Sequence, residues 1–354
     1  SSFVMAIGLA MVLVDIIIHS FVAVRGPRNP WRAGTLEWAG MSPPASYNFA
    51  SLPMVGARAP LYDTPDLANR LAKGEGYLGA PEVARRETLM VDAASGRPEA
   101  LVIYPGNTRL PILMAAVTGG FFLSILLKFF WLTPLALAGV AALALVWVWQ
   151  LSARGDQGPQ KVGRGTTLPL ASEGDRSPGW WGSTFLLVAN ATFFGSLLFG
   201  YAFLWTVAPG WPPAQWLAPS WVELAFGIGA ALAAALAQHL SARRNRAGTP
   251  PMIALAPALL ATVATAVVFG ALLLRLPPPD GHAYAATLLI LGAYGLAHAL
   301  LVGLMQGFLI LQVRRGFTSP QRRAGFAIVA LWSDYLAAIT VLILLAAHLP
   351  GMIA

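Results

Sequence analysis

The chain alternates between long apolar runs and shorter polar segments, and the apolar runs have the length of membrane helices. A helix crossing a bilayer needs about 20 mostly apolar residues. Eight runs meet or approach that: 3–24, 110–131, 133–151, 181–207, 221–240, 252–274, 283–313 and 324–348. The second and third read as a tight hairpin turned at Leu132-Thr133-Pro134. Between the first and second runs lies a long polar segment, 25–109. Within it, 65–76 reads as a short helix. Residues 87–104 read as a β-hairpin, with β-formers on either side of an Ala94-Ser95-Gly96 turn. The segment 155–178, rich in Gly, Ser and charge, reads as a mobile loop. The pattern predicts an all-α polytopic membrane protein with eight transmembrane helices.

Composition supports several spans. Hydrophobic residues make up 57% of the 354 and charged residues 11%, against roughly 25% charged in soluble domains. There is no cysteine, which excludes disulfides and thiolate metal sites. The net charge of +8 raises nucleic acid as a partner, and its distribution argues against it. If 25–109 is cytoplasmic and sides alternate, the inner segments are 25–109, 154–178, 243–246 and 314–323. They hold 10, 4, 3 and 4 of the 23 Lys and Arg. Lys128 and Arg275 are the two left over, near outer ends. The positive-inside rule predicts this asymmetry. The charge is then a topology signal, with the C-terminus on the outer face. Basic residues split among separate loops make no nucleic-acid surface. The chain begins Ser-Ser, with no Met and no signal-peptide n-region, so it reads as the C-terminal part of a longer chain.

Candidate chemistry is sparse. His19, His239, His282 and His348 fall at span ends, where an interfacial imidazole needs no further role. No two histidines have ligand spacing on one helix. His298 lies mid-span, where an ionisable group is expensive. Asp15, Glu223 and Asp334 are the acids within spans. Asp334 is expected to pair with His298 or with a backbone donor, as a packing contact first and a proton path second. The small residues from Gly227 to Ala237 permit close helix contact. Trp147, Trp149, Trp180, Trp181, Trp205, Trp211, Trp216 and Trp221 cluster near span ends as an aromatic belt. No phosphate loop, paired catalytic carboxylates or Ser/His/Asp set emerges.

The polar stretch after the first span carries a longer pattern. Asn29-Pro30-Trp31, Thr35-Leu36-Glu37-Trp38, Ser42-Pro43-Pro44 and Asn48-Phe49, closing at Pro53, resemble the C-terminal tail of subunit I of the haem–copper terminal oxidases (cytochrome c oxidase). In that family the tail follows the twelfth transmembrane helix on the cytoplasmic side. The resemblance implies that Trp31, Glu37, Trp38, Pro43, Pro44 and Phe49 dock on the cytoplasmic face of the oxidase core. The later part resembles subunit III of the same complexes, whose seven helices divide into a pair and a bundle of five. Gly179-Trp180-Trp181-Gly182 with Phe193-Phe194 and Tyr201 resembles its third helix. Trp211-Pro212-Pro213 resembles the following outer loop, and Phe326 and Trp332 resemble the start of its last helix.

The resemblance implies a fused subunit I and III polypeptide. Its domains would be the last subunit I helix (1–24), a cytoplasmic tail and linker (25–109), a helix hairpin (110–152), a cytoplasmic loop (153–180) and a five-helix bundle (181–354). Subunit III usually carries a Glu where Asn190 stands, so no carboxylate role carries over. Its last helix usually has His after the Trp and Asp four after it. Here Ser333 follows Trp332, and Asp334 is two after it. His298 falls near a family His, with Gly303 one residue out of place. Asn190, His298 and Asp334 are left as intrabundle polar or lipid-cleft contacts. The family's haem and copper ligands lie on earlier helices or another subunit, so the segment itself is expected to hold no cofactor. The implied partners are the subunit I core, subunit II, phospholipids, and cytochrome c or a cytochrome bc1 complex. The implied location is a bacterial inner membrane. Quinol is an equally open electron donor. A stand-alone transporter and a non-enzymatic membrane assembly protein are the rival readings.

Overall fold

The structure is a computed structural model that describes residues 2–22, 27–79, 86–152, 158–171, 173–213 and 220–353. The expected end of the first span at Val24 and the belt residue Trp216 lie outside the described residues. The helices are α1 (Ser2–Val22), the short α2 (Pro60–Asp63) and α3 (Leu67–Ala72), α4 (Leu110–Leu126), α5 (Thr133–Ser152), α6 (Pro178–Val207), α7 (Trp221–Arg246), α8 (Met252–Arg275), α9 (Ala283–Arg314) and α10 (Ala324–Ile353). The strands are β1 (Glu87–Val91), β2 (Pro98–Ile103), β3 (Gln160–Gly163) and β4 (Thr166–Leu168). Among the described residues, seven helices are long and apolar enough to cross a membrane: α1 and α5 to α10. The chain is therefore a mostly helical polytopic membrane protein.

The eighth expected span, α4, is shorter than its apolar run. It has 17 residues. Lys128 takes a left-handed φ of 61°, and its N–H and that of Phe129 bond back to Ile125 and Ser124 at 3.1 and 2.8 Å. This satisfies the last carbonyls and closes the helix. The turn thus occupies 127–132, upstream of the expected Leu132-Thr133-Pro134. Thr133 and Pro134 instead start α5, where proline's missing N–H does no harm. The Ser124 and Thr133 hydroxyls lie 2.9 Å apart and tie the hairpin ends together.

Contacts divide the chain into two compact units, 1–104 with 159–168, and 105–158 with 169–354. In the first, α1 has no buried residue. The β1–β2 hairpin pairs Leu89 with Leu101 and Glu87 with Ile103. Its turn is held by the Asp92 carboxylate, which accepts from the Ser95 N–H at 2.8 Å. The segment read as a loop contains a second antiparallel hairpin, β3–β4. Its Val162 is buried, and the Val162 carbonyl accepts from Leu78 N at 2.8 Å. Ser51 ties this unit together. Its hydroxyl donates to Leu71 O at 2.9 Å and accepts from Gly76 N at 3.0 Å.

In the second unit, α4 packs on α5. Helices α7, α8, α9 and α10 form a ring in which each touches its two neighbours, and α6 lies against α9 and α10. Local signals set these helices. Ser220 caps α7 by accepting from Glu223 N, the Ser-x-x-Glu arrangement of a capping box. Arg243, Arg244 and Arg246 occupy its last turn, where cations complement the helix dipole. Gly295 allows close approach of α9 to α8, because a Cβ there would overlap the Phe269 ring. Pro350 interrupts α10. Lacking an N–H, it leaves the Ala346 carbonyl without its helical donor. The Tyr201 hydroxyl from α6 donates to that carbonyl, and Tyr284 from α9 donates to Ala347 O at 2.8 Å.

Ser51→Ala removes one buried donor and one buried acceptor from the first unit. It is expected to cost about 1–3 kcal/mol and to speed protease cleavage within 27–79 in membrane preparations. Unchanged cleavage would contradict the role given to Ser51.

Candidate functional site

The tail residues form a groove of about 660 Å3, lined by Glu37, Trp38, Pro44 and Phe49 together with Pro27, Pro30, Met41 and Asn48. Trp38 and Glu37 sit on one 3₁₀ turn, Leu36–Ala39. The Thr35 hydroxyl donates to Glu37 Oε1 at 2.6 Å. That bond, with Glu37's own backbone N–H, holds the carboxyl below its usual range. Asn29 staples the preceding loop, its amide donating to Ala33 O and accepting from Ala33 N. Trp31 stands outside the groove, edge-on to Trp38 with ring centroids 5.1 Å apart. It is 74% exposed. Pro43 is exposed and does not line the groove. Four of the six predicted tail residues therefore share one surface, and Trp31 extends it.

The bundle residues separate into different places. Asn190 on α6 is half-buried, and its amide donates to Leu186 O at 3.0 Å. Its backbone carbonyl accepts from the Tyr294 hydroxyl at 3.2 Å, and that hydroxyl lies 2.6 Å from the Tyr335 hydroxyl. His298 donates from Nδ1 to Tyr294 O at 2.9 Å. Its ring packs against Tyr294, Tyr335 and Trp332. Asn190 and His298 thus meet one aromatic cluster between α6, α9 and α10.

Asp334 does not pair with His298. Both of its oxygens accept from His239 Nε2 at 2.9 Å. The reason is helical phase at 100° per residue. Trp332 and Tyr335 face His298, whereas Asp334 falls on the stripe of Ala330 and Ala337. Ala337 packs against Ala231 and Ala235 of α7, and His239 lies one turn beyond Ala235. His239 is therefore a helix-pairing residue as well as a span-end one. The pair borders a recess of about 330 Å3 that also holds Asp175, Arg176, Arg246 and Arg323. Asp175 accepts from Arg246 at 3.2 Å and lies 3.0 Å from Arg323 Nε.

His348 also differs from expectation. It sits near the outer end of α10 but is fully buried. Its Nδ1 accepts from Ser220 N at 3.3 Å, and its Nε2 lies 3.9 Å from Glu223. Arg275 pairs with the same Glu223. His282 caps α9 by accepting from Tyr284 N at 3.0 Å. His19 pairs with Asp15 on the exposed face of α1 at 3.1 Å. Sequence spacing carried no signal for the His239–Asp334 pair or for Asp175.

A fourth feature is an apolar cleft of about 730 Å3 between α5 and α9, lined by Leu145, Val146, Trp149, Gly303, Leu304, Gly307, Phe308 and Leu311. Trp149 bridges it at one end, edge-on to Phe308 at 5.5 Å. Gly303 and Gly307 open its α9 wall between Leu304, Phe308 and Leu311. Among the described residues, no three His, Asp or Glu come together as a metal site would require. The arrangement suits binding of apolar and interfacial surfaces.

Comparison with known proteins adds a partial match. Over 62 residues the chain is 37% identical to cytochrome c oxidase subunit 1 of Alkalihalophilus pseudofirmus. The match covers 17% of this chain and 10% of that protein. It points to a haem–copper oxidase relationship. No family model matches the chain.

The His239–Asp334 pair predicts non-additive mutations. His239→Leu and Asp334→Leu should each lower thermal stability. The double variant should lose less than the two single losses combined, by about 0.5–3 kcal/mol. Additive losses would contradict a working pair.

Proposed function

We propose that the chain is the end of subunit I of a bacterial haem–copper oxidase fused to subunit III, within a complex that reduces O2 to water and moves protons outward. The observation that carries this reading is the 62-residue match to a cytochrome c oxidase subunit 1. The tail groove and the helix contacts support it.

In this reading α1 is the last subunit I helix, and its exposed surface packs on the preceding helices of the core. A lone apolar helix with polar Asp15 and His19 on its surface needs such partners. The tail, 25–109, lies on the cytoplasmic face, and its groove and the exposed Trp31 dock there. Aromatic anchors of this kind carry much of the energy of protein contacts. Helices α4 to α10 act as subunit III, the α4–α5 pair standing beside the five helices from α6 to α10. The C-terminus is periplasmic.

The chain's task is structural support of the redox core. It binds phospholipid acyl chains in the α5–α9 cleft, where the lining is apolar. It supports proton uptake at the cytoplasmic face. Haem and copper belong to the rest of the complex, with subunit II as neighbour and cytochrome c or a cytochrome bc1 complex supplying electrons.

Trp38→Ala tests the docked tail within the purified complex. Emptying a buried indole site costs about 3–5 kcal/mol, so the variant should lower the complex's melting temperature and release the tail to protease. A melting temperature and cleavage pattern equal to wild type would contradict docking.

A further inference from the structure

The ring of α7, α8, α9 and α10 encloses a polar layer that the lipid and docking surfaces do not use. Gln238 on α7 and Gln306 on α9 are both 0% exposed. Neither the nitrogen nor the oxygen of either amide has a hydrogen-bond partner among the described residues. The Thr262 hydroxyl on α8 is buried in the same condition. Helices α7 and α9 each pack on α8 and α10, so they occupy opposite corners of the ring.

The two glutamines lie at one depth. Each stands eight residues before the last residue of its helix, Arg246 or Arg314. Thr262 and Ser333 stand ten and nine residues after the first residues of α8 and α10. At 1.5 Å per residue all four are about 12–15 Å from that end of the ring. Apolar layers close both sides. Toward the basic end, Leu255, Leu309, Phe326 and Val329 pack together with Ala242. Away from it, Ala231, Ala235 and Ala337 pack together, and Val302 joins the large cluster around Phe269.

We infer that this layer is an internal hydration site, in which water molecules bridge Gln238, Gln306 and Thr262 across the ring. Burying an amide without partners is costly in any apolar medium, and buried polar groups in folded proteins are nearly always hydrogen-bonded, so the four unmet amide atoms call for a partner. The partner must both donate and accept, because each amide offers a donor and an acceptor. Water does both and commonly makes about three such bonds when buried. The site supplies further acceptors. Ser241 and Ser333 donate to Gln238 O and Val329 O of their own helices, which leaves their oxygen lone pairs available.

A density map of the full complex at a resolution that shows ordered water tests this directly. Density within hydrogen-bond distance of both amides is expected. Direct amide–amide contact, or apolar packing with no density, would overturn the site. A second readout is independent of the map. Gln238→Leu and Gln306→Leu should each lower the melting temperature by about 2 °C or more, with the double variant recovering part of the loss. If each single variant instead raises the melting temperature, the amides are unsolvated and no water bridges them.

Discussion

Helix α10 holds the bundle together through carbonyls at the turn where Pro350 leaves one of them unmet. Pro350 removes the donor that the Ala346 carbonyl would have had. In an apolar surrounding such a group must find a partner within the protein. Tyr201 and Tyr284 supply hydroxyls at this point, so α6 and α9 are both latched to α10. The aromatic cluster of Trp211, Tyr201 and Tyr284 packs around the latch. Further along α10, Asp334 binds His239 of α7. One helix therefore sets the positions of three others by polar contacts, while apolar packing around Phe269, Leu288 and Ile343 supplies the bulk of the burial.

The same demand for satisfied polar groups shapes the first unit. Its peptide groups are paired by two small hairpins, by the mutual bonds between Leu52 and Tyr77, and by Ser51. This frees the tail to present aromatic rings outward. Trp31 and Trp38 stack edge to face rather than entering a core of their own. An exposed Trp31 beside a half-buried Trp38 and a Pro-lined groove suits contact with another protein surface.

Hydropathy made most of the fold legible. Seven spans follow from unbroken apolar runs, and the β1–β2 hairpin follows from alternation around a Ser95-Gly96 turn. The ends of elements were less legible. The α4–α5 turn depends on Lys128 adopting a left-handed backbone, which no Gly announces. The β3–β4 hairpin was hidden by glycines and charge, because its strands are three or four residues long and gain order by pairing with residues far away in sequence. The polar contacts were least legible. In the predicted spans Asp334 lies nearer the depth of His298, but α7 runs on to Arg246 and α9 to Arg314, which puts His239 seven, Asp334 ten and His298 sixteen residues from the basic end. Depth then favours His239, and the rotation of the helices, seen in the packing of Ala235 against Ala337, points Asp334 the same way. Gln238 and Gln306 stand 68 positions apart and reach one depth only through the ring of helices.

The central claim is that this chain belongs to a haem–copper oxidase. A redox difference spectrum of the complex purified through this chain, read together with the intact mass of the polypeptide, tests it most directly. The account predicts haem absorption bands and a polypeptide well above the mass of these 354 residues. A complex that purifies intact with no haem bands would contradict it.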